Sequence, residues 1–462
     1  MHPFLRLPNL AERRFAYVAA CLLLWFAPAQ AADPQSPAVA PAPVEGPSMA
    51  PSAAREFRDL SEEKIGRIIS TKEPSLTDFL SQDNLTYIPL PAFAYNRNES
   101  FYVGALMPVL RANPKGEIDD IFAPQYLFNE FVGNSVTLNY YGYRSDTVQY
   151  RAIVNYAEKV QKNFDFAYKD LGAGGGRYIL GGQANFFKNP FSRFFGIGNA
   201  AQLSNESNYT SRETNVNAYI GLNLTPDFSI LLTQRFRDVR LENGIIPTLP
   251  QTTVKFAATS GVEGAQILGT KLTFLYDTRD SQLTPIKGTY ATFSVEFNSN
   301  VQHDEPNRWV RFVLDARHLY PHDNDSKVLV VRALFDGVVR TDQSPQRAIP
   351  FYELPTLGGE TTLRAFGLNR FFSNQAVVFN VEERIRIMQR KFFDHSIDLE
   401  VAPTLDVGRV MNLEQRDFTF KDFQVNPGLG IRVMAKPHVV GRLDIAYGKD
   451  GGNAFVGLDY PF

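Results

Sequence analysis

The segment IDLEVAPTLDV, residues 397–407, decides the fold of this chain. Its odd-numbered positions are apolar or proline, whereas its even-numbered positions include four polar residues: Asp398, Glu400, Thr404 and Asp406. Alternation with a period of two predicts a β-strand, because successive side chains of a strand point to opposite faces. The segment before it alternates in the same way, with a polar face formed by Asn380, Glu382, Arg384 and Arg386.

The same texture continues over residues 89–462. Turn signals such as those at 324–326 and 449–452 separate the apolar–polar segments. The pattern predicts strands at 89–96, 100–111, 120–131, 134–143, 146–160, 177–190, 208–225, 228–243, 270–280, 288–299, 307–320, 327–340, 375–388, 397–410, 424–436, 439–448 and 453–462.

Repetition over so long a stretch favours an all-β transmembrane barrel over a soluble sandwich, which also alternates. In hydrocarbon every backbone donor needs a partner, so such a sheet has to close on itself. Aromatic residues near strand ends are typical of interfacial girdles, and the candidates are Tyr140, Tyr141, Tyr143, Phe191, Phe194, Phe195, Phe371 and Phe372.

Composition excludes several classes of protein. The chain is 44% apolar and 13% aromatic, which is too hydrophobic for a disordered polypeptide. A formal charge of −2 argues against a nucleic-acid partner, since such proteins normally carry a clear basic excess. Beyond the N-terminus, no stretch approaches the ~20 apolar residues of a spanning helix.

Residues 1–31 are predicted to be a secretory signal peptide. Three arginines precede an apolar stretch over 15–29, and small residues at 29–31 form a cleavage site. A lipoprotein signal is the alternative, because Cys21 follows Val18-Ala19-Ala20, but the apolar stretch continues past this cysteine. Removal of the signal takes away the only cysteine, so the exported chain would have no disulfide.

Two short segments follow the predicted signal. Residues 32–55 are rich in Pro, Ala and Ser and predict a flexible linker. Residues 56–88 predict a short, partly helical periplasmic segment, with Ile65, Ile68 and Ile69 on one helical face. This segment would be either loosely ordered near the membrane or a plug for the barrel at 89–462.

The segment FYELPTLGGETTLRAFGLNRFFSNQAVVFNVEERIRIM, residues 351–388, contains three motifs. They are a Leu-Gly-Gly run with Gly358 and Gly359, the sequence Leu-Arg-Ala-Phe with Arg364 and Phe366, and a Glu-Glu-Arg strand that begins at Glu382. Together they resemble the outer-membrane insertase and two-partner-secretion superfamily, the surface-antigen barrels of the Bam and Tam type. Ala365 stands where that family has glycine.

Two further motifs support the resemblance. Asp277, Arg279, Asp280 and Gly288 match the family's strand-and-turn motif, and Asp406 lies in its Asp-x-Gly strand. The resemblance implies 16 strands and a long extracellular loop, about 341–374, that folds into the barrel. It also implies that Arg364 is pinned by acidic residues on the following strands, here Glu382 and Asp406. The alternative is that all three are ordinary polar residues of a wet barrel wall.

The final segment, 453–462, predicts a strand with Leu458, Tyr460 and Phe462 on one face. An alternating strand that ends in an aromatic residue resembles the insertion signal of bacterial outer-membrane barrels. The implied partners are the outer-membrane bilayer and the barrel-assembly machinery that would insert this chain.

Relatives that insert or secrete proteins carry periplasmic POTRA modules, and residues 32–87 are too few for one. The chain therefore resembles barrel-only members of the superfamily, and a periplasmic partner would have to supply such modules. The resemblance implies a non-enzymatic role in outer-membrane biogenesis, with protein or lipid insertion through the barrel or a lateral seam. A passive channel or a structural surface barrel is the alternative.

No catalytic or metal site is expected. His318, His322 and Asp323 could bind a metal, but their position beside Pro321 and Asn324 favours an ordinary hairpin turn. Sequence patterns of hydrolases, zinc proteases and phosphate-binding loops are missing from the chain. No cofactor is predicted.

Overall fold

The computed structural model describes residues 81–462, except 83–84, 88, 97, 113–117, 146, 282–283, 303–306, 342–347, 393–394, 416–418, 436–437 and 458–459. The predicted signal peptide, the linker and most of segment 56–88 lie outside these residues. Within them, no helix combines the length and the apolar character needed to cross a membrane, a finding that has no bearing on strands.

The chain forms one antiparallel sheet of 21 strands, and a separate two-stranded ribbon lies in the long loop. In chain order the strands are β1 (Ser81–Gln82), β2 (Leu85–Tyr87), β3 (Leu90–Asn96), β4 (Ser100–Leu106), β5 (Val109–Ala112), β6 (Ile118–Asn129), β7 (Gly133–Tyr143), β8 (Val148–Ala157), β9 (Lys162–Gly172), β10 (Tyr178–Phe194), β11 (Ser207–Thr225), β12 (Phe228–Asn243), β13 (Ala265–Asp277), β14 (Gly288–Asn300), β15 (Asn307–His322), β16 (Lys327–Arg340), β17 (Thr356–Leu357), β18 (Phe371–Phe372), β19 (Gln375–Phe392), β20 (His395–Met411), β21 (Gln424–Ala435), β22 (His438–Gly448) and β23 (Gly451–Gly457).

Prolines interrupt the first two long strands. Pro89 separates β2 from β3 and Pro108 separates β4 from β5, because proline has no N–H to give to a ladder. The register is unchanged across both breaks, so each pair is one bent strand. The sheet thus includes Leu85–Tyr87, before the predicted boundary at residue 89.

The predicted number of 16 strands is not confirmed, since more than 16 remain after these pairs are joined. The number 16 came from the family resemblance, whereas the apolar–polar pattern predicted 17 strands and missed β9. The turn between β8 and β9, residues 158–161, contains neither glycine nor proline. Val160 instead adopts a positive φ of 49°, which nothing in its residue type predicts.

The two faces of the sheet are inverted relative to a soluble protein. Large apolar side chains point outward and are exposed, for example Val216, Phe293, Val381 and Ile445. Charged and amide side chains point inward and are buried, among them Glu382 and Asp406 at 0% exposure. An apolar belt outside and a polar interior are the arrangement of a transmembrane β-barrel.

The long connections all lie at one end of the barrel and cover it. An aromatic cluster, here called the cap, joins Phe194 of β10 and Trp309 of β15 to loop residues Phe351 and Phe372. The prediction that Phe194 and Phe372 belong to an interfacial girdle is therefore wrong, because both are fully buried. Both side chains instead pack against loop residues of the cap.

The sheet has a seam between β3 and β23. Their Cα atoms approach within 8 Å, yet among the described residues β23 forms a ladder with β22 and β3 forms one with β4, and no ladder joins β3 to β23. The ladder between β22 and β23 runs only from Gly448–Gly451 to Arg442–Gly457. The last strand is therefore the most weakly paired of the long sheet's C-terminal half.

Candidate functional site

The loop between β16 and β19 enters the barrel, as predicted for 341–374. Its middle reverses direction at Gly358 and Gly359, which have φ angles of 119° and 105°. A Cβ on Gly358 would lie 2.4 Å from the Gly367 carbonyl oxygen, so glycine is required there. The turn carries Leu363, Arg364 and Phe366 into the interior, where each is at most 1% exposed.

Arg364 lies among carboxylates of the barrel wall. Its Nε and Nη2 donate to the two oxygens of Asp406 at 2.9 and 2.6 Å, a bidentate pair, and its backbone N–H donates to Oδ2 at 3.1 Å. Its Nη1 donates to Oε2 of Glu382 at 3.1 Å. Burial opposes the charge of Arg364, but the neighbouring carboxylates outweigh it and raise the pKa of the guanidinium.

The charge cluster extends beyond the residues that the sequence indicated. Asp444 of β22 lies 3.5 Å from Arg364, and Glu382 is shared with Arg384 at 2.9 Å and Arg432 at 2.8 Å. Sequence reasoning missed Asp444 and Arg432. Their positions on the polar faces of β22 and β21 could have placed both side chains inside the barrel. Alternation predicts the face on which a side chain lies, but not the residue with which it pairs.

Ala365 stands where the resembled motif has glycine. Gly448 on the facing strand β22 leaves space for the Ala365 side chain. Its Cβ lies opposite Gly448, where an added Cβ would approach to 2.8 Å. Ala365 is fully buried. Gly448 therefore permits the close approach of Ala365 to β22.

Glu353 provides a second attachment of the loop, which the sequence analysis did not anticipate. It lies in a short 3₁₀ turn, Phe351–Glu353, and is completely buried. Arg237 Nη1 donates to its Oε1 at 2.6 Å, and Arg235 Nη2 to its Oε2 at 3.0 Å. Both arginines project from β12, and five strands of the sheet separate them from β20, which carries Asp406.

Asp277, Arg279, Asp280 and Gly288 build the turn between β13 and β14. Arg279 donates from Nε and Nη2 to the Asp277 carboxylate at 3.0 and 2.9 Å, and Asp280 Oδ1 accepts backbone N–H groups of Ile286 and Lys287. Gly288 has a φ of 108° and no room for a Cβ beside the Thr278 carbonyl. The motif is a structural turn at the end opposite to the cap.

Tyr460 and Phe462 differ from their predicted placement. β23 ends at Gly457, and both aromatic rings lie inside the lumen rather than on an outer strand face. Tyr460 Oη donates to Glu400 Oε2 at 3.1 Å, and the Arg384 guanidinium carbon lies 3.4 Å from the Tyr460 ring centre. These rings contact arginines of the barrel interior instead of lying on the outer face. Leu458 lies outside the described residues.

The two histidines do not form a metal site. His322 Nε2 lies 3.0 Å from Glu383 Oε1, while His318 Nδ1 pairs with the Thr289 hydroxyl at 2.9 Å. Among the described residues no group of three or more His, Cys, Asp and Glu side chains could hold a metal ion.

The Omp85 superfamily domain matches residues 139–454. The chain belongs to the Omp85 superfamily. The resemblance drawn from the motifs at 351–388 is thereby confirmed at family level. A comparison with curated proteins gives no match.

Three solved structures are similar to this chain, and the first of them supports the barrel fold. BamA from Haemophilus ducreyi, in a form lacking POTRA domains 1–3, is 12% identical with a TM-score of 0.52, and the match covers 81% of this chain and 75% of that one. CdiB from Acinetobacter baumannii is 12% identical with a TM-score of 0.45, covering 82% and 60%. CdiB from Escherichia coli is 12% identical with a TM-score of 0.44, covering 82% and 64%.

Proposed function

We propose that this protein is a non-enzymatic outer-membrane barrel that inserts or translocates other proteins or lipids. The observation that carries the proposal is the buried pairing of Arg364 with Asp406 and Glu382, which ties the long loop to the wall. Ion pairs that can separate hold the loop in place, and among the described residues no ladder joins β3 to β23 at the seam. Both features allow the barrel to change conformation. Export by residues 1–31 and help from a periplasmic partner belong to the same proposal.

The seam supports a lateral route. β3 and β23 each leave a strand edge without a ladder partner among the described residues, and an unpaired edge is a template for another strand. Asn453 of β23 donates to the Phe366 carbonyl of the loop at 3.1 Å. Movement of the loop would therefore displace β23, the strand at the seam.

Deletion of the gene tests the proposal. We expect the outer-membrane protein or lipid profile to change, and we expect the native gene to restore it. A gene carrying Arg364→Ala should restore it less well than one carrying the outward substitution Val216→Ile. A profile that stays unchanged after deletion would contradict a role in biogenesis.

A passive channel would need an open lumen. Leu363, Ala365 and Phe366 of the loop fill the interior on the side of β19 to β22 with an apolar cluster. In planar bilayers we therefore expect little steady current from the native protein. A large, constant conductance that is unaltered by Arg364→Ala would favour the channel instead.

A further inference from the structure

A cavity of about 460 Å³ lies on the inner face of β7 to β11. Its lining residue Tyr141 shares a face of β7 with Thr137, which is buried inside the barrel. The lining residue Arg151 shares a face of β8 with Asn155, which is buried as well. The cavity lies at the end of the barrel opposite to the cap, because β10 begins beside it and ends at Phe194. Its volume is within the range of about 300–1,000 Å³ that is typical of small-molecule sites.

One row of inward residues crosses the five strands of the cavity in register. From β7 to β11 the row consists of Tyr143, Gln149, Lys169, Gly181 and Tyr219. Gly181 leaves a gap in the wall between Lys169 and Tyr219. A Cβ on Gly181 would lie 2.3 Å from the Tyr219 hydroxyl oxygen, so the Tyr219 side chain extends over this gap. The row therefore has a tyrosine at each end and free space beside a lysine.

The adjacent row gives the cavity a low floor. It consists of Tyr141, Arg151, Ala167 and Gln183, which face one another from β7 to β10. Ala167 contributes only a methyl group between the longer side chains of Arg151 and Gln183. Long polar and aromatic side chains thus surround a small apolar centre.

Asp165 fixes two of the lining side chains from below. Its carboxylate is 1% exposed and accepts from Arg151 Nε at 2.8 Å. Its other oxygen accepts from Gln183 Nε2 and, at 3.2 Å, from Asn185 Nδ2. The Arg151 side chain stays 41% exposed, and Nε makes the contact with Asp165. Its Nη atoms can therefore bind a ligand without loss of that contact.

The lining provides many hydrogen-bond donors, and among the residues described there it includes no carboxylate. Arg151 and Lys169 are cations, and Gln149 and Gln183 add amide groups. Such a set favours a ligand that brings negative charge and acceptor oxygens. The tyrosines add flat apolar faces that carry a hydroxyl group at one edge. An acidic saccharide matches both features, since its ring has an apolar C–H face and its edge carries hydroxyl groups and an anion.

The wall is unsuited to a peptide that would add as a strand. Each of the strands β7 to β11 has a ladder partner on both sides, so no backbone edge is open at the cavity. Recognition there depends on side chains alone. Peptides that bind by strand addition need a free edge.

We propose that this cavity binds a short acidic saccharide. The sugar ring packs between the tyrosines, and its carboxylate or phosphate pairs with Arg151 and Lys169. The inference goes beyond the proposed function, because the lining lies entirely on β7 to β11 and includes no residue of the long loop. The site is therefore separate from Arg364 and its partners.

Calorimetric titration of the detergent-solubilised full chain with digalacturonate and with trehalose phosphate tests the site. We expect saturable binding of at least one of these acidic disaccharides. The matched neutral sugars, galactobiose and trehalose, should bind about 10-fold more weakly or less, because they lack the anion. Glutarate, a dicarboxylate without a sugar ring, should bind as weakly as they do. Binding of neither acidic disaccharide, or equal binding of glutarate, would overturn the proposal.

Two lysines of β9 provide a matched pair of variants. Lys169 lines the cavity, whereas Lys162 lies at the other end of the strand, with its ammonium 5.0 Å from the ring centre of the exposed Tyr156. Lys169→Gln should weaken binding of the acidic disaccharide by about 10-fold or more, since a charge-assisted contact is lost. Lys162→Gln should leave the affinity unchanged. Equal affinities of the two variants would contradict the site.

A second pair fills the cavity without removing a charge. Ala167→Phe places a ring on its floor, whereas Ala184→Phe places one on the outer face, where Ala184 pairs with the exposed Phe166. We expect Ala167→Phe to abolish binding and Ala184→Phe to preserve it, with the heat-induced gel shift showing that each variant is folded. Undiminished binding by folded Ala167→Phe would contradict the cavity. Arg364→Ala should bind the saccharide like the native chain, so this proposal and the proposed function fail separately.

Discussion

At the scale of single residues, Arg364 is the most consequential side chain of the interior. Removal of its guanidinium in Arg364→Ala leaves Asp406, Glu382 and Asp444 facing one another with at most 1% exposure. Breaking such a buried pair costs about 3–5 kcal/mol, because the remaining charges are uncompensated. We expect a lower temperature of the heat-induced gel shift and more frequent openings in planar bilayers.

Arg364→Lys is the control for charge alone. A lysine keeps the positive charge but cannot make the bidentate contact with Asp406. Its effect should lie between those of the native protein and Arg364→Ala. If Arg364→Ala matched the native protein in both measurements, Arg364, Glu382 and Asp406 would be ordinary polar residues of the barrel wall, the alternative that the sequence left open.

Gly448 and Ala365 predict a compensating pair. A Cβ at Gly448 would come 2.8 Å from the Ala365 Cβ and 2.5 Å from Asn426 Nδ2, so Gly448→Ala should strain the contact by about 1–3 kcal/mol. Ala365→Gly in the same chain should recover part of that loss, since only the movable amide then remains in the way. Urea titration of the folded gel band measures both. Strictly additive effects would contradict a direct contact.

At the scale of elements, the long loop is attached to the barrel wall at two places, by charges of opposite sign. Arg364 is a loop cation held by wall carboxylates, and Glu353 is a loop anion held by Arg235 and Arg237. The surrounding charges are Glu213 and Glu296, each paired with one of these arginines. The loop is therefore attached to the barrel wall at two places and is not a plug fixed at one point.

The attachment at Glu353 predicts a response to acid. Burial would raise the pKa of its carboxyl, but Arg235 and Arg237 outweigh this and lower it from 4.5 to about 2. A carboxyl with a lowered pKa stabilises the fold above its unfolded value and loses that contribution as the pH falls toward the folded one. We expect bilayer openings to increase as the pH falls below about 4.5. Glu353→Gln should open more at neutral pH and lack the acid step.

At the scale of the whole molecule, the inverted faces of the sheet predict opposite outcomes for adjacent residues. Val216 of β11 is 44% exposed on the outer face, whereas Asn217 points to the polar inner face, two residues before Tyr219, which lines a cavity of about 460 Å³. Arginine at the lipid face near the bilayer centre costs about 2–4 kcal/mol. Val216→Arg should weaken folding into vesicles by that amount, and Asn217→Arg should change it little. Equal losses would contradict a lipid-facing outer surface.

The sequence by itself determined the β-strand character of the chain, the polar and apolar faces of its strands and the family. Alternation at 397–407 put Asp406 on the polar face, and the family resemblance indicated Glu382 and Asp406 as the partners of Arg364. These features are local, or are carried by a few adjacent residues. The sequence analysis did not detect β9, because the turn before it is made by Val160 and contains neither glycine nor proline.

Only the tertiary structure decided which inner charges meet. Glu353 and Arg235 are far apart in the chain and are joined by the curvature of the sheet, which no period reveals. The same holds for Tyr460 and Phe462, since an aromatic residue suits a lipid face and an arginine pocket equally well by its chemistry alone. The curvature of the sheet places buried guanidinium groups beside these rings, and contact with those groups holds the rings inside.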